Sequence, residues 1–162
     1  STTTPRRTRA STRFDSLEQE AFLTLWRTYD RLRSLEDELF ARFDLTPQQY
    51  NALRVLKSVR PGTMPTLDLA SRLVSRAPDI TRLLDKLEQR DLIERERPAE
   101  NRRIVRVGIT PAGIVLLDQM YEPILECHGR QLGHLSSQQL HDLVRLLRTA
   151  REPHEESDST WR

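Results

Sequence analysis

The chain is poor in the residues that mark several common classes of protein. Among 162 residues it has one cysteine, Cys127, so no intramolecular disulfide can form and nothing signals an oxidising compartment. Five glycines leave no phosphate-cradling loop, and G-x-S-x-G, H-E-x-x-H and C-x-x-C are all missing. Catalysis is not expected, and no cofactor or metal is implied. No run approaches 18 uninterrupted apolar residues, and the arginine-bearing N-terminus has no apolar core like that of a secretory signal. These absences predict a soluble, cytoplasmic protein without membrane contact.

What is abundant is arginine. Of 26 basic residues only Lys57 and Lys86 are not arginine, and a net charge of +2 hides their uneven placement. Arg6, Arg7, Arg9 and Arg13 stand in a leader without acids, whereas Glu152, Glu155, Glu156 and Asp158 make the far end acidic. Residues 1–14 and 152–162 have too little apolar surface to offset the entropy of ordering and are expected to be flexible. Between them, 15–151 is long enough for one domain with its own core. The arginine-rich stretch 72–106 is compatible with nucleic acid, although on charge alone a solvated helix surface is the better reading.

Apolar residues from Leu17 through Phe22, Leu25, Trp26 and Leu39 to Phe43 recur at steps of three and four, the stripe of one amphipathic helix. Roughly 28 residues at about 1.5 Å each span about 40 Å, more than a compact domain of this size needs. Such a helix usually packs against something beyond its own domain. Thr46-Pro47-Gln48-Gln49 reads as a capped helix start that runs to Pro61-Gly62. Thr66 can cap a short helix. Ser75 can cap another, with Pro78 in its first turn and Ile80, Leu83, Leu84 and Leu87 as its inner face.

After Arg90 the period becomes alternating: Leu92–Arg97 and Arg103–Ile109 are strand candidates joined through Arg102. Thr110-Pro111 starts a second long helix, and Ser136 with Gln139 caps a last one. Cys127, His128, His134 and His141 match no metal-ligand spacing and read as an inert cysteine with solvated histidines. The order of elements gives a mainly α (α+β) fold, a helix-turn-helix followed by a two-stranded β wing. Its outward helix face, with Arg76, Asp79, Thr81, Arg82 and Lys86, has the polar and cationic character a major groove accepts. A protein-binding winged helix without DNA binding is the alternative, which an apolar or acidic face would favour.

Three passages carry a closer resemblance: Thr66–Ala70, Val74–Glu88, and the wing from Leu92-Ile93-Glu94-Arg95 through Asn101-Arg102-Arg103 to Thr110-Pro111-Ala112-Gly113. Together they resemble the MarR family of winged-helix transcription regulators over residues from about 15 to 150. The resemblance implies a winged helix-turn-helix at about 46–110, flanked by dimerisation helices at about 15–43 and 111–150. It further implies a homodimeric DNA-binding repressor on a pseudo-palindromic double-stranded operator, with Arg76, Pro78, Asp79, Thr81, Arg82 and Lys86 in the major groove. In the wing the family commonly has Asp-x-Arg, whereas this chain has Asn101-Arg102-Arg103; Arg103 keeps the reaching position. Aspartate, Asp91, stands where the family usually has glycine. Relief by a small aromatic or phenolic effector is also implied, for which Trp26, Tyr29 and Tyr50 are candidate contacts.

Overall fold

The computed structural model describes residues 13–162; most of the basic leader, including Arg6, Arg7 and Arg9, lies outside the described residues. Helices α1 (Leu17–Arg42) and α2 (Pro47–Val59) are followed by the short strand β1 (Met64–Pro65), then α3 (Thr66–Arg72) and α4 (Ile80–Gln89). Strands β2 (Ile93–Glu96) and β3 (Arg106–Ile109) lead into α5 (Pro111–Leu132) and α6 (Ser137–Arg151). A 3-10 turn, Glu152–His154, follows α6.

Local chemistry explains most boundaries. The hydroxyls of Thr46 and Ser136 accept from the backbone N–H of Gln49 and Gln139, whose side chains accept in return, two closed capping boxes. Thr110 caps α5 by accepting from the N–H of Gly113, with Pro111 at the first helical position. The helix entering the wing ends in a Schellman turn: Asp91 N–H donates to Glu88 and Leu92 N–H to Leu87, with Asp91 at φ 57°. That left-handed conformation strains any residue with a Cβ. Asp91→Gly is therefore expected to raise stability by about 1 kcal/mol in urea melts, and a loss instead would mean the carboxylate supplies something the backbone does not.

Two expected caps are corrected. Ser75 does not start the helix-turn-helix's second helix; Asp79 does, its carboxylate accepting from Arg82 N–H at 2.9 Å, and residues 73–79 form a connecting segment. Thr66 caps nothing: its N–H and hydroxyl both donate to the Val105 carbonyl, tying the start of α3 to the wing.

The sheet is three-stranded and antiparallel, ordered β1-β3-β2, so the wing hairpin gains an outer strand that the sequence did not suggest. Ile93 faces Ile109 and Arg95 faces Val107 across it, while Met64 pairs with Val107 on the other side. Under the sheet, α2 packs against α3, α4, α5 and β3. Leu53, Leu56, Leu69, Leu84, Leu87, Ile93 and Val107 are fully buried there. Each such side chain contributes about 1.5–3 kcal/mol of burial, which makes the winged part the stable centre of the chain.

The long helices are different. In α1 only Leu39 and Phe40 are buried, while Leu17, Phe22, Trp26 and Tyr29 on the same stripe are all more than 60% exposed. No residue of α6 is buried. The acidic segment 152–162, expected to be flexible, takes up defined contacts through Arg151 and Trp161.

Candidate nucleic-acid interface

Arg76, Pro78, Asp79, Thr81, Arg82 and Lys86 are all exposed, as are Asn101, Arg102 and Arg103 at the wing tip. Arg76 and Pro78 lie in the connection before α4, not within it, and Asp79, Thr81 and Arg82 span its N-cap and first turn. The carboxylates nearest Arg82 in sequence are engaged elsewhere. Asp79 caps the helix, and Asp85 takes Arg95 Nη2 at 2.6 Å. Among the described residues the Arg82 guanidinium enters no ion pair or hydrogen bond, so a helical-neighbour ion pair does not account for its exposure.

Arg95 was not among the expected site residues, and it orders them. From β2 its guanidinium forks to Asp85 and to Glu88, with Nε 3.0 Å from Glu88 Oε2, binding the wing to the outer side of α4. The hydrogen bond to Glu88 raises its pKa above the ordinary arginine value, outweighing the opposing effect of burial, so it is charged at every relevant pH. Its sequence signal was slight: two acids three apart on a helix and one arginine a strand away.

At the wing tip, Asn101 shapes the backbone of the turn. Its Oδ1 accepts from Arg103 N–H at 3.1 Å, and its carbonyl accepts from Ile104 N–H. Arg97 Nη1 donates to the Arg102 carbonyl at 2.8 Å, closing the loop a second time. Glu100, the acid beside Asn101, makes no hydrogen bond or ion pair among the described residues.

Tyr29 and Tyr50 come together on the wall of a cleft of about 380 Å³ between α1, α2 and α5; Trp26 is not on it and packs beside Phe22 instead. Arg33, Glu36 and His128 supply charge and hydrogen bonding to this cleft, and Val74 and Ser75 reach it from the segment leading into α4. Asn51 Oδ1 accepts from Val74 N–H at 2.7 Å, so the wall and that segment are joined. Cys127 also borders the cleft but is buried, and burial pushes its thiol pKa up. It is therefore expected to react with iodoacetamide far more slowly in the folded protein than in urea; equal rates would show an exposed thiolate. Among the described residues no group of three or more His, Cys, Asp or Glu is placed to hold a metal, and no helix is long and apolar enough to cross a membrane.

A short helix, a connecting segment and a capped helix with a polar outer face, followed by a sheet whose hairpin is clamped to that helix, define a winged helix-turn-helix protein. The model of the MarR family matches residues 45–105. Among solved structures the chain is similar to a MarR transcription factor from Planctomyces limnophilus, with 56% identity over 83% of this chain and 98% of that one, at a TM-score of 0.67. It shares its fold with a mutant of MarR from E. coli complexed with operator DNA (20% identity, 83% and 98% covered, TM-score 0.72). It shares it also with BpsR of Bordetella bronchiseptica (22% identity, 81% and 98% covered, TM-score 0.72). The chain belongs to the MarR family of transcription regulators.

Proposed function

We propose that the chain is a homodimeric repressor that reads a pseudo-palindromic operator, inserting α4 in the major groove and the wing arginines in the minor groove. The observation that carries this is the exposed α4 start, whose Arg82 guanidinium has no partner among the described residues, beside a wing fixed to the same helix through Arg95. Neither an apolar nor an acidic face is present there, which argues against a purely protein-binding winged helix. Dimerisation is supported by the apolar stripe that α1 leaves exposed and by an α6 with no buried residue, surfaces that one chain does not cover. The E. coli relative was solved on operator DNA, which supports the same mode here.

Relief by a small aromatic or phenolic anion is the reading that the Tyr29–Tyr50 cleft supports, its volume of about 380 Å³ being within the usual range for small-molecule sites. The work on BpsR concerns regulation of DNA binding by 6-hydroxynicotinic acid, an aromatic carboxylate. Through Val74 and Asn51 an occupant would bear on the segment entering α4 and favour a dimer whose reading helices are wrongly spaced. The test is selection of duplexes from a random-sequence library by the full chain, then titration of the selected duplex at several salt concentrations. A palindromic consensus and an affinity that falls steeply with salt are expected; salt-independent binding, or no enriched duplex, would refute the reading.

A further inference from the structure

The segment after α6 folds back and docks on the reading head. The last carbonyls of a helix have no partner within it. The carbonyl of Arg72, at the end of α3, accepts from the indole Nε1–H of Trp161 at 3.4 Å. Trp161 is itself held at the end of α6: its carbonyl accepts from Arg151 Nη2 at 3.0 Å, and the Arg151 guanidinium lies 6.0 Å from the ring centroid. Glu155 locks the turn between them. Its Oε1 is 2.9 Å from Arg151 Nε, a coulombic contact without hydrogen-bond alignment, and its Oε2 accepts from Ser159 Oγ, which in turn accepts from Trp161 N–H.

What these contacts join is informative. Helix α6 has no buried residue of its own and leaves Val144 and Leu146 exposed, whereas α3 is the first helix of the helix-turn-helix, one connecting segment away from Arg82. We propose that Trp161 is a positioning residue: seated on the Arg72 carbonyl, it straps α6 to α3 and so fixes how far apart the two reading helices of the dimer stand. This rests on the DNA-binding dimer proposed above. A strap of this kind acts on the tolerance for half-site spacing, not on contacts to any one base.

The first measurement uses the full chain carrying Trp26→Phe, which leaves Trp161 as its one tryptophan. Acrylamide should quench Trp161 less in the folded protein than in urea, and equal quenching would overturn the docking. The second compares the duplex selected by the wild type with the same duplex lengthened by one base pair between half-sites, which separates them by about 3.4 Å and rotates them by about 34°. Trp161→Ala is expected to narrow the wild type's preference for the parental spacing by about fivefold, with an unchanged melting temperature. Trp161→Phe, which keeps the ring and loses the N–H, should fall between. Equal weakening on both duplexes, or an unchanged preference, would overturn the proposal while leaving the DNA-binding reading intact. A library from which no duplex is enriched would instead overturn that reading and the proposal with it.

Discussion

Arg82→Ala is expected to weaken binding to the selected duplex by about 1–3 kcal/mol per half-site, at least roughly fivefold, without lowering stability. The expectation depends on where the neighbouring carboxylates go. An arginine flanked by acids on a helix ordinarily spends its charge on an i,i+3 or i,i+4 pair worth about 0.3–0.5 kcal/mol, and removing it then does little. Here Asp79 is turned back onto the backbone N–H of residue 82 itself, and Asp85 is taken by Arg95 from the wing. The guanidinium is left exposed and without a partner among the described residues, so no contact seen in the fold is lost with it. Measured against a set of single-base operator variants, the mutant separates two roles. Loss of discrimination at one position marks a base contact, and a uniform weakening with the salt slope reduced by about one marks a phosphate contact. Unchanged affinity would remove Arg82 from the interface and leave the α4 surface without its strongest argument.

The parts of this fold that sequence made legible are those decided within four or five residues. The capping boxes at Thr46 and Ser136 and the Thr110-Pro111 start bring both partners of each bond close in the chain, and the structure forms all of them. The start of α4 was misplaced because Ser75, Pro78 and Asp79 all carry helix-start chemistry within five residues. The choice among them is made from outside: Asn51 on α2 takes the N–H of Val74 and the segment before Asp79 stays non-helical. Strand β1 is two residues long, one of them proline, and has no period to read; it exists because β3 offers it Val107 and Arg106. Trp26 shares a helical stripe with Tyr29 yet misses the cleft that Tyr29 lines, since a stripe gives a direction and not a neighbour. Arg95, likewise, could be recognised only once a strand and a helix had been set side by side.

Gly113→Ala is expected to destabilise the fold by about 3 kcal/mol, lowering the melting temperature by roughly 6–12 °C. Helix propensity alone predicts the reverse, since alanine in a helix interior is favoured over glycine by about 1 kcal/mol. The backbone at Gly113 does not need glycine's freedom, because no glycine among the described residues has a positive φ. The requirement is one of space. A Cβ there would stand 2.4 Å from the carbonyl oxygen of Leu92 and 2.6 Å from Ile109 Cγ1, and the first of these is backbone that no rotamer change can move. That carbonyl also accepts from Thr110 N–H at 3.1 Å, while the Thr110 hydroxyl donates to Asp91 at 2.6 Å. Pushing α5 outward would strain both bonds, where the start of α5 rests on the turn that closes α4. Gly129, farther along α5, has nothing within 4 Å of its would-be Cβ, and Gly129→Ala is expected to be neutral or to add up to about 1 kcal/mol. Urea melts of the two variants should therefore move apart. If Gly113→Ala followed propensity and stabilised the protein, α5 would not be seated on Leu92.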